Sequence, residues 1–403
     1  MPEAVHVLGA YRTDFARNLR KEEKGLRDLI VEAGRGAIES AGIQPGDVKS
    51  GVVGNFAAGR FTKQLHLGSF ITDVDAAMRG IPTYHTEAAC ASGAVAFVAG
   101  AQQVMGGLAD VVLVVGAEQQ KTMAPGDVGD VLAGAGDYGE ERPMYGDFMF
   151  PSLFGKIAEL YDDTYGLTSE QISSIAYKNR HHAKLNPLAQ MRTKALEREA
   201  ACTVSDSNPM IAKPLIKASD CSQITDGSAA VVLCSESFMK KVGRNAPKLL
   251  GLGHKTDHLP LRQKDAPTFS VAASACKAAF DQAGMQPTDL HGADVHDCFS
   301  ISEIVAYELM GLCKPGEGKR LAENGDTMLK QCGGTGKLFP VNPGGGLMGD
   351  GHPVGATGVR QLCEMFEQLG GTAGERQIDG ASKYLTFNMG GSFTTSVCAI
   401  WQA

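Results

Sequence analysis

The sequence predicts an α/β protein built from two copies of one strand-and-helix unit, with a long insertion in the first copy. Three observations predict it. Ala41-Gly-Ile-Gln-Pro-Gly-Asp-Val48 recurs as Ala283-Gly-Met-Gln-Pro-Thr-Asp-Leu290. Cys90-Ala-Ser-Gly93 is echoed by Gly355-Ala-Thr-Gly358, and both open helices. The strand-like run 111–116 is echoed by 384–390. Three matches in one order define copies over roughly 1–118 and 248–403. Alternating strands and helices predict sheets with helices on both faces.

In chain order, 5–9 reads as a short strand. Residues 25–41 form an amphipathic helix stopped by Gly42 and Pro45. Residues 52–54 form a second strand, and an extended segment from Thr83 leads to Cys90. Residues 91–105 carry no charge and are apolar almost all round, so this helix is expected to be buried on every side. Residues 111–115 read as a buried strand. The Gly/Asp-rich stretch 126–147 reads as loop, and 150–165 as an aromatic-rich helix. Ser169 is the expected cap of a helix through Lys184, ended at Asn186-Pro187. Residues 229–234 form a strand returning to the first unit. The second copy supplies an Ala-rich helix at 272–282, a strand at 293–297 and a late strand at 384–390. A shared helical layer would hold the two echoing helix N-termini side by side, with Cys90 near the loop before Gly355. The expected organisation is an N-terminal half of 1–118 with 229–247, an inserted loop domain of 119–228 over the active site, and a C-terminal half of 248–403.

Composition narrows the functional classes. The 403 residues are 43% apolar, ample for a large core. The 50 glycines have no fixed period and suggest tight turns and close packing. A net charge of -7 without a basic block implies neither nucleic acid nor an anionic membrane. No signal peptide and no membrane span are expected, and the C-terminal Trp-Gln-Ala is no peroxisomal address. The ten cysteines form no Cys-x-x-Cys pair, so no zinc or redox site is expected, and they read as reduced thiols of a cytoplasmic protein.

Four stretches carry chemistry. Cys90 precedes a helix whose dipole would favour thiolate over thiol; the alternative is a buried structural cysteine. In Val295-His296-Asp297-Cys298-Phe299, His296 and Cys298 are two apart in an extended segment and point the same way. Asn342-Pro-Gly-Gly-Gly-Leu-Met-Gly-Asp-Gly-His352-Pro-Val-Gly-Ala-Thr-Gly358 holds one neutral-pH base, His352, among glycines that admit a close ligand. Asn388-Met-Gly390-Gly-Ser offers N–H groups for an oxyanion, or is a plain turn. Lys156, Lys178, Arg180, Lys184, Arg192 and Lys213 in the insertion could receive an anionic substrate, or be solvated singly.

Taken together, Cys90-Ala-Ser-Gly, Gly-His352-Pro-Val-Gly-Ala-Thr-Gly, Asn388-Met-Gly-Gly and the opening Gly9-Ala-Tyr-Arg-Thr-Asp-Phe resemble a thiolase over nearly the whole chain. His296-Asp-Cys-Phe resembles the sterol-carrier-protein-type branch, as do Lys178-Asn-Arg-His-His and Asn186-Pro-Leu-Ala-Gln. The resemblance implies the thiolase fold, a layered α-β-α-β-α sandwich, and acetyl-CoA C-acyltransferase (3-ketoacyl-CoA thiolase) activity through an acyl-cysteine. It implies Cys90 as nucleophile and His352 as its base. Most thiolases carry a second cysteine where this chain has Asn388, so Cys298 is assigned as the second acid/base. The oxyanion holes would be His296 with His352, and the N–H groups of Cys90 and Gly390. Coenzyme A and acyl-CoA are the implied substrates, with no permanent cofactor and no metal. A homodimer or dimer of dimers is implied, with 111–115 pairing across a two-fold axis. The competing readings are a silent acyl-CoA-binding relative and a ketoacyl-synthase-like condensing enzyme. The first would be expected to lose the nucleophile; Cys298 beside His296 and the long insertion argue against the second.

Overall fold

A computed structural model describes residues 3–403. Nine strands run through it in the order β3-β2-β4-β7-β1-β8-β11-β10-β9. The first five belong to the first copy: β1 (Val5–Arg12), β2 (Ser50–Gly54), β3 (Thr83–Thr86), β4 (Val111–Glu118) and β7 (Gly227–Ser235). The last four belong to the second: β8 (Lys248–Thr256), β9 (Gly292–Val295), β10 (Lys383–Gly390) and β11 (Thr395–Gln402). A small ribbon of β5 (Met210–Ala212) and β6 (Ile216–Lys217) stands apart. The two halves of the long sheet join at one paired position, His6 opposite Lys248. Each half repeats one pattern. β2 and β4 are parallel, with β7 and β1 antiparallel beyond them; β9, β10, β11 and β8 do the same.

The repeated octapeptide produces the same local structure twice. Helices Leu26–Ala41 and Ser270–Ala283 both end on a left-handed glycine, Gly42 at φ 65° and Gly284 at φ 64°. A short turn follows in which Asp47 and Asp289 accept the N–H of Gln44 and Gln286. Between the sheets lie helices Ser92–Met105 and Thr357–Leu369, whose N-terminal turns meet backbone to backbone. A Cβ on Gly93 would sit 2.7 Å from the Gly355 carbonyl oxygen, and one on Gly358 would strike the Ala94 amide. Only glycine permits that approach.

Several expectations are corrected. β4 lies between β2 and β7, so it has no free edge for a two-fold partner; the terminal strand of its half of the sheet is β3. The Ser92–Met105 helix is not buried all round: Gln102 is exposed, and Val95, Ala99 and Gln103 are half-buried on one stripe. The stretch 126–147 is not loop, since Pro125–Ala133 and Glu141–Tyr145 are helical. Pro125 at the first helical position and Asp127 in the first turn start the former, and Val128 and Val131 pack with Phe61. The cap of helix Ser169–Ala183 is Thr168, which accepts from Gln171 N–H while Gln171 reaches back to Thr168 N–H. β9 stops at Val295, two residues short of the expected end. Among the described residues no helix is long and apolar enough to cross a membrane, and all ten cysteines are free.

Candidate active site

Cys90 sits in the tight turn between β3 and the Ser92–Met105 helix. Ala89 before it takes φ 51°, rare for a residue with a side chain, and Ser92 Oγ locks the turn by donating to Ala89 O at 2.6 Å and accepting Ala88 N–H at 3.0 Å. The cysteine is 9% exposed. Burial pushes its thiol up to about 12, against the Gly391 N–H that reaches the sulfur. The helix dipole expected to favour the thiolate is thus outweighed by desolvation, and the resting species is the thiol. It needs a base.

His352 supplies one. Its Nδ1 lies 2.7 Å from Thr357 Oγ1, and that hydroxyl donates to Pro353 O at 3.1 Å. With the Thr357 proton so placed, Nδ1 must carry the ring proton and Nε2 keeps the lone pair. Burial, then the Arg360 cation, lower its pKa to about 3, so the ring is neutral at pH 7. His296 faces it edge-on, ring centroids 5.1 Å apart. Asn388 Nδ2 donates to His296 Nδ1 at 2.9 Å, which puts the His296 proton on Nε2, and Nε2 has no protein partner. Burial, then His352, holds His296 neutral as well. The two histidines therefore present opposite faces of the same chemistry: one acceptor, one donor. Cys90 Sγ and a ring nitrogen of each histidine all lie within 4.8 Å of one another.

Cys298 precedes helix Ser300–Leu309, with Sγ 3.7 Å from Ser302 Oγ. Burial, with Cys90 beside it, raises its pKa far above the usual thiol value. It too is a thiol at rest. Asp297 between His296 and Cys298 turns the other way. It accepts N–H from Leu347 at 2.6 Å and Met348 at 3.3 Å and the Asn179 amide at 2.7 Å. A side chain on Gly346, at φ 58°, would strike that carboxylate. The carboxylate thus clamps the glycine loop of His352 to the His296–Cys298 segment. Gly390 ends β10 so near the Cys90 turn that a Cβ there would strike Ala88 O; the N–H on the Cys90 sulfur belongs to Gly391, one residue on.

Further clamps explain motifs that carry no chemistry themselves. Arg12, from the opening motif, forks onto Asp350 and donates to Leu188 O at 3.2 Å. Glu118, at the end of β4, accepts Asn55 Nδ2, Phe56 N, Ala57 N and Gly355 N at 2.9–3.3 Å. Burial lifts its pKa to about 7 against the pull of those four donors. Lys264 Nζ gives its three protons to Ser392 O at 2.7 Å, Ser392 Oγ at 2.8 Å and Thr394 Oγ1 at 2.6 Å, right beside Gly391.

A cavity of about 220 Å³ opens onto Cys90, Cys298 and His352, roofed by Leu132, Phe148 and Phe150 of the insertion. None of the six basic positions proposed to receive an anion lines it. Lys178 is buried against Glu303, Lys156 pairs with Glu159 at 2.8 Å, and Arg192 pairs with Asp14 at 2.9 Å. Sequence reading missed Thr357 and Lys264, settled on Gly390 where the N–H on the sulfur is that of Gly391, and took Asn388 only as a lost cysteine. Thr357 lies within the His352 motif and could have been found there; Lys264 carries no local signal.

A duplicated α/β fold with a buried cysteine and two oriented histidines at the junction of its halves defines a protein built for cysteine nucleophile chemistry. Family models agree on which one: "Thiolase, N-terminal domain" matches residues 5–237 and "Thiolase C-terminal domain-like" matches 253–403. The chain belongs to the thiolase family, in its sterol-carrier-protein-type branch. It is 36% identical over 399 residues to the acetyl-CoA acetyltransferase of Methanothermobacter thermautotrophicus, covering 99% of each chain. It is 31% identical to sterol carrier protein 2 of Gallus gallus, covering 97% of this chain and 70% of that one. A solved Ltp2-ChsH2(DUF35) aldolase superposes with a TM-score of 0.83 at 22% identity, covering 100% of this chain and 98% of that one, a likeness of fold.

Proposed function

We propose that the protein is an acetyl-CoA C-acyltransferase that cleaves 3-ketoacyl-CoA with CoA, or runs the reverse Claisen condensation. The observation that carries this is the cluster of Cys90 Sγ and two histidine nitrogens within 4.8 Å, in a chain 36% identical to an acetyl-CoA acetyltransferase.

In thiolysis, His352 Nε2 takes the Cys90 proton and the sulfur attacks the 3-keto carbon. The N–H groups of Cys90 and Gly390, or of its neighbour Gly391, stabilise the oxyanion. The C2–C3 bond then breaks. Its electron pair becomes the enolate of acetyl-CoA, whose oxygen accepts from His296 Nε2–H and from the now protonated His352. Cys298 gives its proton to C2, and acetyl-CoA leaves. Cys298 thiolate next takes the proton of incoming CoA, whose sulfur attacks the acyl-Cys90 thioester. Cys90 leaves as thiolate and recovers its proton from His352. Each residue ends in its starting state.

The unit 119–228 acts as the inserted loop domain over this site, between halves of 1–118 with 229–247 and 248–403. The apolar lining of the cavity suits an acyl chain. The protein is a homodimer or dimer of dimers joined along β3, where Tyr84 and the Val95–Ala99–Gln103 stripe offer unpaired surface beside a free sheet edge. Ten unpaired thiols support a cytoplasmic setting. The test is thiolysis across a chain-length series beginning at acetoacetyl-CoA, with acetyl trapping and peptide mapping. An acyl group on a cysteine other than Cys90, or no turnover with any chain length, defeats the proposal.

A further inference from the structure

We propose that the same centre is a binding site for one soft divalent cation of the Zn²⁺ type. The ligands are Cys90 Sγ and the Nε2 atoms of His296 and His352, and occupancy reversibly blocks the nucleophile. This stands apart from the acyl-transfer reading, because it rests only on the ligand set and its surroundings.

The donor atoms already lie within 4.8 Å of one another. Zinc bound at about 2.3 Å to sulfur and about 2.0–2.1 Å to nitrogen places tetrahedral ligands about 3.3–3.6 Å apart. Closing the cluster by about 1 Å reaches that geometry. Metal-binding histidines are as a rule held from behind through their other nitrogen, and both of these are. His352 Nδ1–H is held by Thr357 Oγ1 and His296 Nδ1 by the Asn388 amide. Two buried polar atoms here have no partner, His296 Nε2 and Asn388 Oδ1. One rearrangement frees His296 Nε2 for a metal and moves the vacancy on Asn388 from Oδ1 to Nδ2. If the Asn388 amide rotates by half a turn, Oδ1 accepts from His296 Nδ1–H, and Nε2 is left with a lone pair aimed at the metal. The step balances simply. The Cys90 S–H bond breaks, a sulfur–metal bond forms, and one proton leaves to solvent. One thiolate and two imidazoles select zinc, cobalt or copper over magnesium and calcium, which need oxygen. The fourth position faces the cavity, open to water or to a ligand thiol.

Co²⁺ is the probe, since tetrahedral thiolate coordination gives it visible d–d bands and a near-ultraviolet sulfur-to-cobalt charge-transfer band. Titration of the full chain should give one Co²⁺ per subunit with both features, displaced by Zn²⁺. Cys90→Ser should lose the charge-transfer band, and His296→Ala and His352→Ala should each weaken binding by about 100-fold or more. Zn²⁺ should slow iodoacetamide alkylation of Cys90, and protein already alkylated there should bind no metal at this site. Unchanged stoichiometry and spectrum in Cys90→Ser would mean the metal sits elsewhere and would overturn the inference. So would the absence of a thiolate band in the wild-type protein, or affinity equal to wild type in both histidine variants. Each readout is a spectrum or a binding isotherm, so it is independent of turnover.

Discussion

Replacing Thr357 with valine tests whether His352 is held as a base by one hydroxyl. Valine keeps the shape and the β-branch, so the Thr357–Leu369 helix and its contact with Gly93 should survive. What is lost is the acceptor that lies 2.7 Å from His352 Nδ1. The tautomer that accepts the Cys90 proton must carry hydrogen on Nδ1, and in the variant that N–H is buried without a partner. Leaving a buried donor unmet costs about 1–3 kcal/mol. At about 1.4 kcal/mol per tenfold, the reactive tautomer is depleted by about 5- to 150-fold. Acylation of Cys90 by acetyl-CoA, followed by stopped-flow release of CoA, should slow by that factor with little change in KM. Thr357→Ser restores the hydroxyl and should recover most of the rate, which a purely steric role would not predict. Wild-type acylation by folded Thr357→Val would refute the tautomer argument and free His352 Nδ1 from any part in orienting the base.

Four other outcomes are expected. Cys298→Ala should slow thiolysis of acetoacetyl-CoA by about 10²–10⁴-fold while Cys90 is still acylated by acetyl-CoA; near-normal turnover per folded molecule would move the proton shuttle to His296 or His352. Lys264→Met should lower the acylation rate by about tenfold or more without shifting KM, because the loop carrying Gly391 N–H loses three hydrogen bonds; an unchanged rate would show that loop to be held by β10 and β11 alone. Glu118→Gln puts an amide NH₂ against backbone N–H donors and should destabilise by about 1–3 kcal/mol in denaturant titration, whereas a neutral result would mean a proton already occupies that carboxyl. Stability should fall as pH rises from about 9 towards 12. The folded pKa values of Cys90, Cys234 and Cys363, each pushed up to about 12 by burial, lie above those of the unfolded thiols. Their contribution is therefore complete below pH 9 and is lost as the unfolded thiols ionise. Equal denaturation midpoints at pH 8 and pH 10.5 would contradict it.

Local signals decided what could be read from the sequence. The recurring Ala-Gly-x-Gln-Pro-x-Asp gave the duplication because each part has a backbone job done within eight residues: a left-handed cap at Gly42 or Gly284, then a turn closed by Asp47 or Asp289. The Pro125–Ala133 helix was hidden because Gly126 and Gly129 lower its propensity, and its stability comes from Phe61, more than sixty residues away. The thiolate expectation for Cys90 used a local term, the helix dipole, and missed the tertiary one, burial, which is larger. Lys178 looked like a candidate for an anionic substrate because its partner Glu303 lies 125 residues downstream.

The placement of the chemistry follows from the duplication itself. Cys90 comes from the first copy, and His296, Cys298, His352 and Gly391 come from the second. Neither copy holds a complete site. The two are brought into register by equivalent helix N-termini that touch at Gly93 and Gly358, and carboxylates and a guanidinium from both copies then fix the loops: Glu118 on Gly355, Arg12 on Asp350, Asp297 on Leu347. A site spanning a pseudo-symmetric junction can therefore diverge on its two sides without disturbing the scaffold. One side carries the buried nucleophile in its turn. The other supplies base, acid and N–H donors from its loop and strand end.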